Sequence, residues 1–252
     1  MIPLVAPVES NGPYRHLRVT PLNSRIASAA SASGAATGAP AASAVCATPV
    51  TAGATPDARR DIRRRLRACR AELTPGQRSA AAHAIAAHIA GTRWLRGARA
   101  VGLYVSIGTE VQTEALRALA RKRNCPVYLP CIVDYRYRRM VFARDAGAPS
   151  SINRLGIPEP DALQTIAARA LSVVLLPVLG FDPHGTRLGT GGGYYDRMFA
   201  FRRHRQSWHR PLLVGIAFQC QQLPLIERGS HDVPLDAVVT EAGITLFTAA
   251  AA

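Results

Sequence analysis

Leu171-Ser172-Val173-Val174-Leu175-Leu176-Pro177-Val178-Leu179 is the most apolar stretch of the chain. One residue later comes Phe181-Asp182-Pro183-His184-Gly185-Thr186-Arg187-Leu188-Gly189-Thr190-Gly191-Gly192-Gly193-Tyr194-Tyr195-Asp196-Arg197. An apolar run without alternation reads as a strand buried on both faces, the kind found in parallel sheets covered by helices. Five of the nine residues from Gly185 to Gly193 are glycine. A buried strand, a glycine-rich loop and then a helix is how α/β proteins build anion sites. The glycines let the backbone approach a phosphate, and the amides at the helix start donate to it. Arg187 can fork onto phosphate oxygens. Asp196, just past the loop, can hold Mg²⁺, which takes one or two carboxylates plus phosphates and water. No Gly-Lys-Ser/Thr follows, so the loop is not a Walker A motif. Counting from Gly189 and Gly191, the third position is Tyr194, so it is not Gly-x-Gly-x-x-Gly either. Two plainer readings stay open: a merely flexible glycine loop, and Asp196 as a first-turn carboxylate complementing a helix dipole.

Strand and helix patterns alternate around this stretch. Residues 57–72 read as a basic helix, with Ile62, Leu66 and Cys69 on one face. Thr74-Pro75 reads as a cap and first position of a second helix ending near Gly91. Strands are expected over 100–106, 127–130, 140–143, 171–179, 212–218 and 237–240. Helices are expected over 113–123 and from Gly193 to about Arg203. This order predicts an α/β fold, a layered α/β/α domain with a largely parallel sheet.

Residues 1–56 have a different character. From Ala27 to Thr55 the chain is mostly Ala, Ser, Gly, Thr and Pro with no charge, too little to offset its ordering entropy. A disordered tail is expected over 1–56, an over-extended start in preference to a targeting peptide, ahead of one domain over 57–252. The net charge of +15 suits an anionic partner, but Lys122 is the only lysine among 31 basic residues, as codon bias would produce. The five cysteines form no Cys-x-x-Cys pair, which fits a reducing cytoplasm. No apolar run reaches the length of a membrane span.

Arg187 to Arg197 (RLGTGGGYYDR) resembles the signature of the 5-formyltetrahydrofolate cyclo-ligases. Further blocks agree in order: Leu66-Arg67 with Leu73-Thr74, Val105-Ser106 with Glu110 to Thr113, Tyr128 to Pro130, Gly156 to Pro160, His231 to Pro234 and Asp236 to Glu241. The resemblance implies an ATP- and Mg²⁺-dependent ligase. It would convert 5-formyltetrahydrofolate, with or without a polyglutamate chain, to 5,10-methenyltetrahydrofolate, ADP and phosphate. It also implies roles. Arg63, Arg67, Arg187, Leu188, Gly189, Thr190, Gly191, Gly192, Gly193, Tyr194 and Tyr195 would bind ATP. Arg187 and Tyr195 would be catalytic, Val105 and Glu110 would contact the folate, and Asp196 and Asp236 would hold Mg²⁺. Arg63, Thr190 and Gly192 depart from the residues many members carry, which leaves the nucleotide contacts there open.

Two rivals remain. The arginines over 59–70 and 202–210, with Trp208 and His209, would suit a nucleic-acid module, but that reading leaves the loop and its Tyr-Tyr-Asp unexplained. A relative acting on another cofactor would keep the loop and change the substrate.

Overall fold

The computed structural model describes residues 55–204 and 210–247. The expected tail, apart from Thr55 and Pro56, and the Trp208-His209 pair lie outside the described residues.

The domain opens with two helices started by the same device. In α1 (Pro56–Glu72) the Thr55 hydroxyl accepts the Ala58 amide at 3.3 Å, and in α2 (Pro75–Gly91) Thr74 and Gln77 form a reciprocal capping box. Proline follows each cap, where its missing N–H costs nothing. Ile62 and Leu66 of α1 are buried against Leu179, Leu188, Leu223 and Ile226.

The strands are β1 (Val101–Gly102), β2 (Val127–Asp134), β3 (Arg139–Arg144), β4 (Thr165–Ile166), β5 (Val173–Pro177), β6 (Leu212–Ile216), β7 (Ala237–Thr240) and β8 (Gly243–Leu246). Helix α3 (Glu114–Lys122) precedes β2, and α4 (Tyr194–Met198) precedes β6. The eight strands form one sheet ordered β8-β7-β6-β5-β1-β2-β3-β4. From β7 to β2 the neighbours run parallel, and both margins are antiparallel. Gly180–Phe181 and Arg187–Leu188 make a separate short hairpin that presents the glycine loop.

β5 is central and buried on both faces, as its composition requires. Val173 and Leu175 pack with Val214, Ile216 and Val239 beneath α2 and α3. Val174 and Leu176 meet Phe142, Phe199, Leu213 and Val238 on the other face. Each fully buried leucine here contributes roughly 1.5–3 kcal/mol. Cys125 and Cys131 are buried as well.

The strands expected over 171–179 and 212–218 are trimmed to Val173–Pro177 and Leu212–Ile216, and two other elements are much shorter than their sequence suggests. Only Val101–Gly102 of the apolar run 100–106 pairs as strand, because the chain then folds back on its own end, as described below. The expected helix over 193–203 is five residues of α4 followed by a 3₁₀ turn, Ala200–His204. The helix breaks where Phe199 drops fully into the core and Arg202 turns to Asp236. This second layer is therefore thin.

From β1 the chain crosses to β2 on one side, and later sets β5 on the other. The carboxyl ends of β1 and β5 thus adjoin where the strand order reverses, the place where open α/β sheets bind ligands.

Candidate active site

Two segments leave this switch point, and each is held by its own bonds. After β5, Asp182 fixes the base of the glycine loop. Fully buried, it accepts the amides of His184 (2.9 Å), Thr186 (2.8 Å) and Ile226 (3.0 Å). The loop then rises through Gly191 (φ 109°) and Gly193 (φ 67°), backbone values that side chains with a Cβ rarely adopt. α4 follows at once, with Asp196 in its first turn.

Helix α1 lies against the loop, with Arg63 Nε donating to the Gly189 carbonyl at 3.0 Å. Arg59, Arg60, Arg63, Arg67 and Arg228 line, with Thr190, a cavity of about 750 Å³. Arg59, Arg63 and Arg67 recur every fourth residue, so one helix face carries all three. Burial, then the charges of Arg59 and Arg67, lower the Arg63 pKa, the mark of a crowded cationic site. On the other side of the loop, Arg138 at the β2–β3 turn donates to the Gly192 carbonyl at 3.2 Å.

Arg187 does not face this cavity. Only 7% exposed, it donates to the Val233 carbonyl and to Asp196 Oδ1 at 2.5 Å. The expected phosphate fork is instead an internal brace that holds Asp196. The Val233 amide reaches the same oxygen at 3.2 Å. Among the described residues nothing donates to Asp196 Oδ2, so one carboxylate oxygen can meet a cation. Asp236 differs. Arg202 donates to both its oxygens at 2.7 Å, and the Leu213 amide adds a third bond at 2.7 Å. It can reach a metal only once Arg202 turns away. The described residues contain no cluster of three metal-binding side chains, so any Mg²⁺ here would need phosphate oxygens and water.

After β1, the Thr113 hydroxyl donates to the Tyr104 carbonyl (3.0 Å) and the Tyr104 hydroxyl to the Val111 carbonyl (2.8 Å). These bonds pull residues 105–112 back over the strand end. Val105 is half-buried there, and Glu110 Oε2 accepts the Ile107 amide at 3.2 Å. Burial raises the Glu110 pKa, against the Ile107 bond and the charge of Arg70. Burial and then the Glu110 charge push the hydroxyls of Tyr104 and Tyr195 upward, so both remain protonated donors at neutral pH. The Tyr195 ring stacks on Phe199 at 6.4 Å.

The fold thus brings together Arg63, Arg67 and Thr190 at one cavity, and sets Glu110 within electrostatic reach of Tyr195 at the end of the glycine loop. Tyr104, Arg138 and Arg228 were not singled out in the sequence, and Arg59 and Arg70 entered only through the nucleic-acid reading. The four-residue recurrence of arginine along α1 was a readable signal for Arg59. Arg138 and Arg228 carried none, because tertiary folding alone delivers them.

A glycine loop at a switch point, an arginine-lined cavity and an adjoining half-buried carboxylate define an α/β enzyme that handles a phosphorylated co-substrate beside a second ligand. Residues 55–241 match the 5-formyltetrahydrofolate cyclo-ligase family, and the chain belongs to this family of ATP-dependent folate enzymes. It is 33% identical over 182 residues to the 5-formyltetrahydrofolate cyclo-ligase of Haemophilus influenzae, covering 70% of this chain and 94% of that one. It is 31% identical over 184 residues to the Escherichia coli K12 enzyme of the same name, covering 71% and 96%. The NMR structure of Aquifex aeolicus 5,10-methenyltetrahydrofolate synthetase shares the fold, with a TM-score of 0.64 at 22% identity over 77% of this chain and 95% of that one.

Proposed function

We propose that the arginine cavity and glycine loop hold the ATP phosphates while Glu110 receives the pterin of 5-formyltetrahydrofolate. The observation that carries this reading is the convergence of Arg59, Arg63 and Arg67 with Thr190 on one cavity, beside a loop that Arg63 itself grips. A concave site of that kind suits a triphosphate better than the extended backbone of a nucleic acid.

The chemistry follows from a poor leaving group. The formyl oxygen attacks the γ-phosphorus, and ADP departs. N10 then attacks the activated formyl carbon, the C–O bond breaks, inorganic phosphate leaves, and the N10 proton is lost to solvent. The product is 5,10-methenyltetrahydrofolate. Such transfer depends on positioning and charge neutralisation. The α1 arginines supply cationic charge, Tyr195 supplies a neutral hydroxyl donor, and Glu110 accepts from the pterin N–H edge. Bound Mg²⁺ would neutralise phosphate charge, with Asp196 holding it through Oδ2 and Arg187 keeping that carboxylate in place. Asp236 would join as a second carboxylate on release of Arg202. The substrate would be a folate with or without a polyglutamate chain, met in the cytoplasm.

The test mixes purified protein with 5-formyltetrahydrofolate and MgATP and follows methenyltetrahydrofolate by absorbance. Product that requires both ATP and Mg²⁺ is expected. ATP binding without product would turn the reading toward another folate-like substrate.

A further inference from the structure

Arg70 is a buried charged side chain in this region that the reaction above leaves unused. It is 8% exposed, and its Nε has no hydrogen-bond partner among the described residues. A buried guanidinium left unsatisfied is costly, and such exceptions call for an explanation. Its place in the fold supplies one. Arg70 lies seven residues after Arg63 and three after Arg67, so it continues their face of α1. Arg63 grips the glycine loop at the upper end of that stripe. At the lower end, Cys69 Sγ donates to the Cys220 carbonyl at 3.4 Å, which pins α1 to the segment after β6. Leu73 and Cys220, on either side of Arg70, pack against the cluster that holds Tyr104 and Val111, and this sets the Arg70 charge within electrostatic reach of Glu110, which uses Oε2 for the Ile107 amide.

We propose that Arg70 is a positioning residue that keeps the Glu110 carboxylate charged and turned toward the folate. The proposal rests on the reading of Glu110 as the folate contact. A half-buried carboxylate needs such a partner, because burial favours its neutral form and a neutral acid accepts poorly from a pterin N–H. The other groups facing this spot do not supply a positive charge of their own. Tyr104 from the end of β1 and Tyr195 from α4 are neutral, with the Arg187 charge directed into Asp196. Glu114 from α3 is acidic and Cys220, after β6, is a half-buried thiol whose pKa burial raises. Arg67 is the next cation along α1 and faces the phosphate cavity.

The test compares Arg70→Met, Arg70→Lys and Glu110→Gln with the wild type, reading kcat/KM for 5-formyltetrahydrofolate against pH, KM for MgATP and melting temperature. The wild type should lose kcat/KM as pH falls through the Glu110 titration. In Arg70→Met that limb should move up by about one pH unit, since the charge favouring ionised Glu110 is gone. KM for the folate should rise roughly tenfold while KM for MgATP stays within about twofold, the pattern of one lost substrate contact. Arg70→Lys should restore most of the limb, and Arg70→Met should melt no lower than wild type. An unmoved limb in Arg70→Met, with Glu110→Gln abolishing it, would overturn the role of Arg70 alone. A folate KM unchanged in Glu110→Gln would instead overturn Glu110 as the folate contact, and the purpose of Arg70 with it. A parallel rise in both KM values, with a lower melting temperature and no rescue by lysine, would mark Arg70 as merely structural.

Discussion

At the scale of single residues, the site separates carboxylates that are braced from one that is held back from its preferred state. Asp196 and Arg187 form a tight pair in which the arginine is buried and the carboxylate keeps partial exposure. Asp196→Ala should therefore lose stability as well as activity. The expected cost is about 1–3 kcal/mol, below the full penalty for stripping a buried pair because Asp196 is partly solvated. Asp196→Asn retains an oxygen for Arg187, so its melting temperature should stay near wild type while Mg²⁺-dependent kcat falls about 100-fold. Equal turnover in Asp196→Asn and wild type would remove Asp196 from the metal. Glu110 behaves in the opposite way. Its folded pKa is raised above 4.5, chiefly by burial, so the folded state holds its proton more tightly than the unfolded chain. Stability must then fall as pH rises from about that value through the folded pKa, because ionising Glu110 is harder in the native state. Glu110→Gln should remove this loss and melt higher than wild type at neutral pH, while folate binding weakens. A melting curve with the same pH dependence in both proteins would contradict it. Residue identity was readable for these side chains from the motif, but not their partners: Arg187 looked like a phosphate ligand because its inward neighbour, Val233, lies 46 residues away.

At the scale of elements, α1 combines two jobs on adjoining faces. Ile62 and Leu66 bury one stripe, and Arg59, Arg63 and Arg67 present the next to the phosphate cavity. The two can be separated by mutation. Arg67→Ala should raise KM for MgATP roughly tenfold, the scale of one charge-assisted hydrogen bond, without lowering the melting temperature. Thr74→Ala should do the reverse, costing about 1 kcal/mol through the lost capping box and leaving both KM values unchanged. Paired urea denaturation and steady-state kinetics would check both. The elements themselves were legible to different degrees, for physical reasons. The start of α2 was readable because the pair Thr74-Pro75 acts locally, whereas α1 begins at a like pair, Thr55-Pro56, that the reading left in the tail. β7 was readable because Ala237, Val238 and Val239 are apolar in succession. The run 100–106 was equally apolar, yet only its first part pairs, since Tyr104 is captured by Thr113 and Val111 from a later turn. Local composition cannot report such a capture.

At the scale of the whole molecule, the order of strands does what no local motif can. β1 and β5 are separated by 70 residues of sequence, yet they adjoin in the sheet through the pairs Val101 with Val173 and Gly102 with Val174. That adjacency sets the Glu110 segment beside the glycine loop, and α1 closes over both from outside the sheet. The layered α/β arrangement was foreseeable from alternating patterns, whereas the reversal of strand order that creates the crevice was not. Every group assigned a role in binding or transfer lies between Arg59 and Asp236, and the family match runs from residue 55 to residue 241. The cap of α1 is Thr55 itself, so a chain beginning at Thr55 retains the first hydrogen bond the domain requires. Such a shortened protein should match the full chain in kcat and in both KM values, and should unfold at the same denaturant midpoint. Starting instead at Ala58 would delete the cap and Pro56 together, fraying the turn that leads to Arg59. KM for MgATP should then rise before kcat changes, because the arginine face would lose order while the sheet and loop keep theirs. A large loss of turnover already at Thr55 would show that residues 1–54 act on the site, and would move the functional boundary of the protein upstream of α1.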